Sequence, residues 1–212
     1  MHRPLLIVVE GANDITFLVR LSTRLRAELP HLPDLQQLQS EWQIALLPIG
    51  GGDPATWPYR MQALGCPEFH LYDREQHPET DSRRRAIAAV NARPGCRGFL
   101  TSKRALENYL HPQAIAAGGG GELSFGDHDA VSLLLARSWF EVSSVANPWD
   151  TLPRRTQRRL SGRAKRWLNT IAVDQMTAPL LAEHDPAGEI VGWLTTIAEM
   201  VRRGSASAVT VA

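Results

Sequence analysis

Five carboxylates stand where a parallel sheet would gather ligands. Glu10 closes the apolar run LLIVV, and Asp14 follows four residues later. Asp73 and Glu75 close the run EFHLY, separated by an outward-pointing Arg74. Glu107 lies in RALENYL, just after the short apolar stretch 98–101. Like charges brought to one rim repel unless something neutralises them. A divalent cation would do so. Carboxylate oxygens suit Mg2+ or Mn2+, and one or two such ions can polarise a phosphodiester and generate the attacking hydroxide.

The elements that must position these acids read as alternating strands and helices. Residues 5–9 form a continuous β-branched and leucine run, the pattern of a strand buried on both faces. A helix is expected over 15–29, with Ile15, Leu18, Val19, Leu21 and Leu25 on one face and Asn13 as its cap. Pro30 and Pro33 end it. Segment 34–40 is polar and ambiguous. Strands are expected over 44–49 (weakened by Pro48), 68–72 and 98–101, and helices over 54–64 and 82–91. A helical turn or two is expected over 104–110. This alternation predicts a parallel sheet with right-handed crossovers, whose ligands collect beyond the carboxyl ends of the strands.

Gly118 to Gly121 reads as a flexible break. Beyond it, helices are expected over 129–139, 153–173 and 189–201, with a frayed tail from Gly204. The chain thus divides into an α/β domain over 1–112 and a helical C-terminal region over 122–203 packed on it.

A net charge of +1 gives no mandate for a polyanionic partner, but the charges are unevenly spread. Arg154, Arg155, Arg158, Arg159, Arg163, Lys165 and Arg166 share one stretch that contains no acid. It reads either as a solvated helix face or as a phosphate track in which Arg158, Arg159 and Arg163 contact nucleic acid. Cys66 and Cys96 are too few for a disulfide framework or a zinc site. His70 alternates with apolar neighbours and reads as structural. The tryptophans read as core or packing residues, and Asp127-His128-Asp129 as the cap of the following helix. No segment approaches the roughly 20 apolar residues of a membrane span, and the opening lacks a signal-peptide pattern. A cytoplasmic protein without membrane contact is expected.

The order of the acids resembles the Toprim domain, whose elements are Glu-Gly-x-x-Asp after one strand and Asp-x-Asp after a later one. The matching residues are Glu10-Gly11-Ala12-Asn13-Asp14 and Asp73-Arg74-Glu75. Arg104-Ala105-Leu106-Glu107-Asn108-Tyr109, preceded by Lys103, is similar to a block of the OLD (overcoming lysogenization defect) nucleases. The similarity covers roughly residues 4–112. It implies a Toprim-like Rossmannoid sheet flanked by helices and metal-dependent cleavage of nucleic acid, DNA favoured over RNA. By that resemblance Glu10 and Asp14 would hold one ion, and Asp73, Glu75 and Glu107 the same ion or a second. Gly11 and the Gly50–Gly52 loop, including Gly51, would admit phosphate close to the backbone. Lys165, and with it Arg104, would stabilise charge at the phosphoryl centre beside the catalytic Glu10.

Two departures matter. Glu75 stands where that pattern has Asp, one methylene longer. The ABC-type ATPase domain that usually precedes Toprim in OLD nucleases has no counterpart in these 212 residues, and Gly118–Gly121 is not followed by Gly-Lys-Ser/Thr. ATP control would then need a separate ABC-type ATPase partner. A role in phage defence or plasmid control follows by analogy alone. The alternatives are an RNA-processing Toprim nuclease and a non-catalytic subunit that binds a partner ATPase or nucleic acid. A homo-oligomer is compatible with each.

Overall fold

The computed structural model describes residues 3–143 and 148–209. Strands β1 (Leu5–Val9), β2 (Ile44–Pro48), β3 (Glu68–Tyr72) and β4 (Cys96–Leu100) form one parallel sheet in the order β2-β1-β3-β4. Helices cover both faces, so the fold is a Rossmann-like α/β sheet with a C-terminal helical region. Val9 pairs with Pro48 on one side and Leu71 on the other. Alternate residues of β1 enter opposite cores. Leu5, Ile7 and Val9 join a large cluster, whereas Leu6 and Val8 pack with Trp57, Tyr72 and Ala86. This two-sided burial is why β1 and β3 are continuously apolar or buried. β2 lies at an edge and tolerates Pro48 at its end.

The chain leaves β1 toward β2 on one side and β3 toward β4 on the other. The two crossovers diverge, and a crevice opens at the carboxyl ends of β1 and β3. Glu10 and Asp73 stand on its two lips.

Helix α1 (Ala12–Arg26) begins earlier than its apolar spacing suggests, because Gly11 rather than Asn13 is its N-cap. The polar segment yields α2 (Leu35–Ser40), capped by the Asp34 carboxylate on the amides of Gln36 and Gln37. The helix expected over 54–64 is instead two 3-10 turns, Pro54–Tyr59 and Gln62–Leu64. Pro58 supplies no amide donor there, so an α-helical ladder cannot run through. Helix α3 (Glu79–Asn91) precedes β4, and the 3-10 turn Leu106–Tyr109 follows it.

The C-terminal region comprises α4 (Pro112–Ala117), α5 (Val131–Ser143), α6 (Arg154–Trp167), α7 (Ala178–His184) and α8 (Glu189–Val209). The basic helix expected over 153–173 changes its winding: Leu168–Ala172 is π-helical and Val173–Gln175 is a 3-10 turn. Helix α8 runs past Gly204, where the composition suggests a frayed tail, and residues 210–212 lie outside the described set. Within Gly118–Gly121, expected as a flexible break, Gly120 is buried and closely packed. A Cβ at Gly120 would come within 2.6 Å of Ile115 Cγ2 and 2.8 Å of the Trp167 ring, and Trp139 Nε1 donates to the Gly120 carbonyl at 3.2 Å. Glycine is needed there so that the end of α4 can lie against Trp167. One core accordingly runs from β1 and α1 through α4, α5 and α8. Trp42 departs from the other tryptophans: it is 82% exposed, at a φ of 57°. Among the described residues no helix is long and apolar enough to cross a membrane.

Candidate functional site

Asp14, Asp73 and Glu107 meet at the crevice, brought by α1, by the end of β3 and by the turn after β4. All three are nearly buried. Asp14 occupies the first turn of α1, where the helix dipole favours a carboxylate, and its Oδ2 accepts from the Gly11 amide at 2.7 Å. Asp73 Oδ1 accepts from the Leu106 amide at 3.2 Å. Helix α6 contributes the opposing charge. Lys165 Nζ lies 3.3 Å from Glu107 Oε1 and 3.9 Å from Asp14 Oδ1.

The electrostatics follow from burial. Burial raises the Asp14 carboxyl to about 6 against the pull of Lys165. Burial, and then the neighbouring Asp14 charge, push Asp73 well above the usual carboxylate range. Burial alone would depress Lys165, but attraction from Glu107, Asp73 and Asp14 outweighs it and keeps the ammonium protonated. Lys165 is thus a fixed positive charge rather than a general base.

Glu10 has a different environment. Its Oε1 accepts from the Asp73 amide at 3.1 Å and from Arg83 Nε at 2.8 Å, and its Oε2 accepts from Arg83 Nη2 at 2.9 Å. The guanidinium also lies 5.8 Å above the Trp57 ring, which meets Tyr72 edge-on. Arg83 belongs to none of the motifs in the sequence. Its spacing to Ala86 and Val90 on α3, both buried, is the signal that places it on the inward face.

Glu75 does not join the cluster. At a φ of 52° its backbone leaves the extended path, so the alternation that would aim Glu75 with Asp73 does not carry over. Its carboxylate lies 3.4 Å from Arg104 Nε, and its amide donates to the Arg104 carbonyl at 2.9 Å. Arg104 is consequently tied to Glu75 rather than to the acids. Gly11 spends its amide on Asp14. Gly51, at a φ of 77°, turns the loop after β2, and a Cβ at the neighbouring Gly50 would approach the Glu10 carbonyl to 3.1 Å.

The Lys103–Tyr109 block is where the sheet meets the C-terminal helices. Lys103 Nζ reaches Asp127 Oδ1 and the His184 carbonyl, both at 2.7 Å. Asn108 Nδ2 donates to the carbonyls of Gly126 and Asp129, and Tyr109 donates to Glu189 Oε2. Of this block, Glu107 is the residue that reaches Lys165. Asp127-His128-Asp129 thereby serves this junction: Asp127 pairs with Lys103, and Asp129 Oδ2 accepts from Gly126.

The basic residues of α6 divide by face. Each residue turns a helix by about 100°, so Arg154, Arg158, Ser161 and Lys165 align. Arg104, Arg154, Arg158, Ser132, Gln157 and Ser161 line a groove of about 420 Å3, and one helical turn past Ser161 stands Lys165. Arg159 lines a separate pocket with Arg155, and Arg163 another with Trp139 and Phe140. The three arginines of the expected phosphate track thus do not share one surface. A larger groove, about 640 Å3, lies between α1 and α2 and is lined by none of Asp14, Asp73, Glu107 and Lys165.

Among the described residues no group of three or more His, Cys, Asp or Glu side chains is arranged to hold a metal ion. The donor chemistry of the cluster nevertheless fits a hard cation. Three nearly buried carboxylates face a single ammonium; burial is the largest cause of the raised proton affinities of Asp14 and Asp73, and neighbouring carboxylates add to it.

Fold and site together define an α/β protein with a buried carboxylate–lysine cluster at the switch point of a parallel sheet. No family model, curated protein or solved structure matches the chain.

Proposed function

We propose that the chain is a divalent-cation-dependent nuclease of Toprim-like type that hydrolyses phosphodiester bonds, DNA favoured over RNA. The observation that carries this reading is the cluster of Asp14, Asp73 and Glu107 facing Lys165, on the same helix whose Arg154 and Arg158 line a groove with Arg104. Asp14, Asp73 and Glu107 would hold Mg2+ or Mn2+. The chemistry such a cation would supply is polarisation of the phosphoryl group and acidification of the attacking water. Lys165, held protonated, offsets the negative charge that develops at phosphorus. Glu10 fixes the Asp73 amide while Arg83 holds Glu10 in place, which keeps the two lips of the crevice in register. Arg154 and Arg158, both on the N-terminal side of Lys165 along α6, bind backbone phosphates on one side of the scissile one.

The test is cleavage of supercoiled plasmid and of structured RNA with Mn2+, Mg2+ or EDTA, comparing wild type with Asp73→Asn. Cation-dependent cutting that disappears in the variant supports the reading and names the substrate. Undiminished cutting by Asp73→Asn sinks it.

A second reading, a non-catalytic nucleic-acid-binding subunit, is favoured by the two-point grip of Arg83 on Glu10, which leaves that carboxylate engaged. It predicts a retarded plasmid band and no cutting with any cation.

A further inference from the structure

Asn169 lies in the π-helical turn Leu168–Ala172, one turn beyond Lys165, and is fully buried. Its Nδ2 donates to Glu107 Oε1 at 2.6 Å and to the Lys165 carbonyl at 2.7 Å. Those two acceptors fix the orientation of the amide, since turning it over would set oxygen against oxygen twice. The other end, Oδ1, is shut off from solvent and has no hydrogen-bond partner in the protein. Buried amide oxygens are almost always satisfied, so an orphan of this kind calls for a missing donor. Here the orphan belongs to the residue that grips Glu107, the carboxylate that Lys165 also faces at 3.3 Å. Single π-helical turns inside helices recur at functional sites. This one interrupts the helix that carries both Lys165 and Asn169.

We propose that Asn169 is a ligand of the same site: Oδ1 gives a neutral oxygen to the cation taken by Asp14, Asp73 and Glu107, while Nδ2 holds Glu107 in position. This rests on the cation reading above. A carbonyl oxygen is an ordinary ligand for hard divalent ions. It would also add a ligand without adding another negative charge to three crowded carboxylates.

The experiment measures Mn2+ binding to the full chain, without nucleic acid, from the free-ion signal in electron paramagnetic resonance. It compares wild type with Asn169→Leu, similar in size but without oxygen, and with Asn169→Asp, which keeps an oxygen but loses the amide donor. Circular dichroism establishes that each variant is folded. Wild type binds; Asn169→Leu binds roughly 10–100-fold more weakly, the loss typical of residues around a metal site; Asn169→Asp binds much more tightly than Asn169→Leu. A merely structural role would weaken both variants alike, and that result overturns the proposal. So does an Asn169→Leu protein that binds Mn2+ as tightly as wild type, leaving Oδ1 to a water. A folded wild-type chain that binds no Mn2+ removes the cation reading itself and this proposal with it.

Discussion

Lys165 Nζ lies 3.3 Å from Glu107 Oε1, so a helix of the C-terminal region supplies the positive charge for an acid at the edge of the sheet. The pair joins residues 58 positions apart in the chain (165 − 107), and neither side chain is placed by its own neighbours in sequence. Breaking it leaves three carboxylates facing one another.

Lys165→Met tests that dependence. The aliphatic stem is kept and the charge is lost. Cleavage should fall below detection. The cation-free protein should lose about 1–3 kcal/mol, the scale of a hydrogen bond to a charged group. The full cost of severing a buried ion pair is not expected, because the Lys165 side chain is 31% exposed. Urea denaturation in EDTA measures the loss. Unchanged stability would mean that the acids hold their protons and do not need the lysine.

The strands and the order of the acids were legible because burial on both faces leaves an unmistakable apolar run, and the acids end those runs. The partners of the acids were not. The Arg83–Glu10 pair depends on α3 crossing the sheet at one angle, which no local pattern encodes. Glu75 turns away through a left-handed backbone at a residue that rarely adopts one. Gly118–Gly121 has the composition of a break, and it is the packing of Gly120 against Ile115 and Trp167, with the positive φ of Gly119 and Gly121, that calls for glycine. Asn169 carried a faint signal, its four-residue spacing from Lys165, but nothing local tells an inward amide from an outward one.

The division of α6 into faces gives a binding prediction. The double variant Arg154→Ala/Arg158→Ala should weaken nucleic-acid binding about equally across sequences. The slope of log affinity against log salt should fall by about 2, roughly one for each phosphate left without its arginine. Arg159→Ala/Arg163→Ala, on other faces, should leave the slope nearly unchanged. Fluorescence anisotropy over a salt series measures both, and equal weakening by the two double variants would mean that the groove beside Arg104 is not the path.

A buried network on β3 should make the protein acid-sensitive independently of the site. His70 Nε2 lies 2.7 Å from Glu68 Oε2, its Nδ1 lies 2.6 Å from the Tyr72 hydroxyl, and Arg93 also binds Glu68. Burial holds His70 below its ordinary 6.5 despite Glu68. The unfolded chain therefore takes up that proton first, and stability is lost as pH falls below 6.5. For Glu68, burial favours the neutral acid, but hydrogen bonds from Arg93 and His70 outweigh it and hold the carboxylate below 4.5. That contribution is lost in the same direction, as pH falls through the lowered value. His70→Gln removes the first titration, so the stability gap between wild type and variant should shrink from pH 7.5 to 5.5. A gap that stays constant in urea melts would show that His70 does not titrate differently on unfolding.

Asp73→Asn separates a strained functional site from a structural ion-pair network. Asp73 is 6% exposed, and burial together with Asp14 disfavours its charged form. An amide keeps the oxygen that accepts from Leu106 and removes one of three competing charges. If the acids are assembled for a cation, the cation-free variant should be about 0.5–2 kcal/mol more stable than wild type at pH 8, the usual gain when a site's strain is relieved. It should also lose both cleavage and the rise in melting temperature on adding Mn2+. If Asp73 instead serves mainly as a counter-charge for Lys165, the variant should be less stable, since it weakens the attraction that keeps the ammonium in place. Melts with EDTA and with Mn2+ decide between the two, because only a cation site trades stability for binding at the same carboxylate.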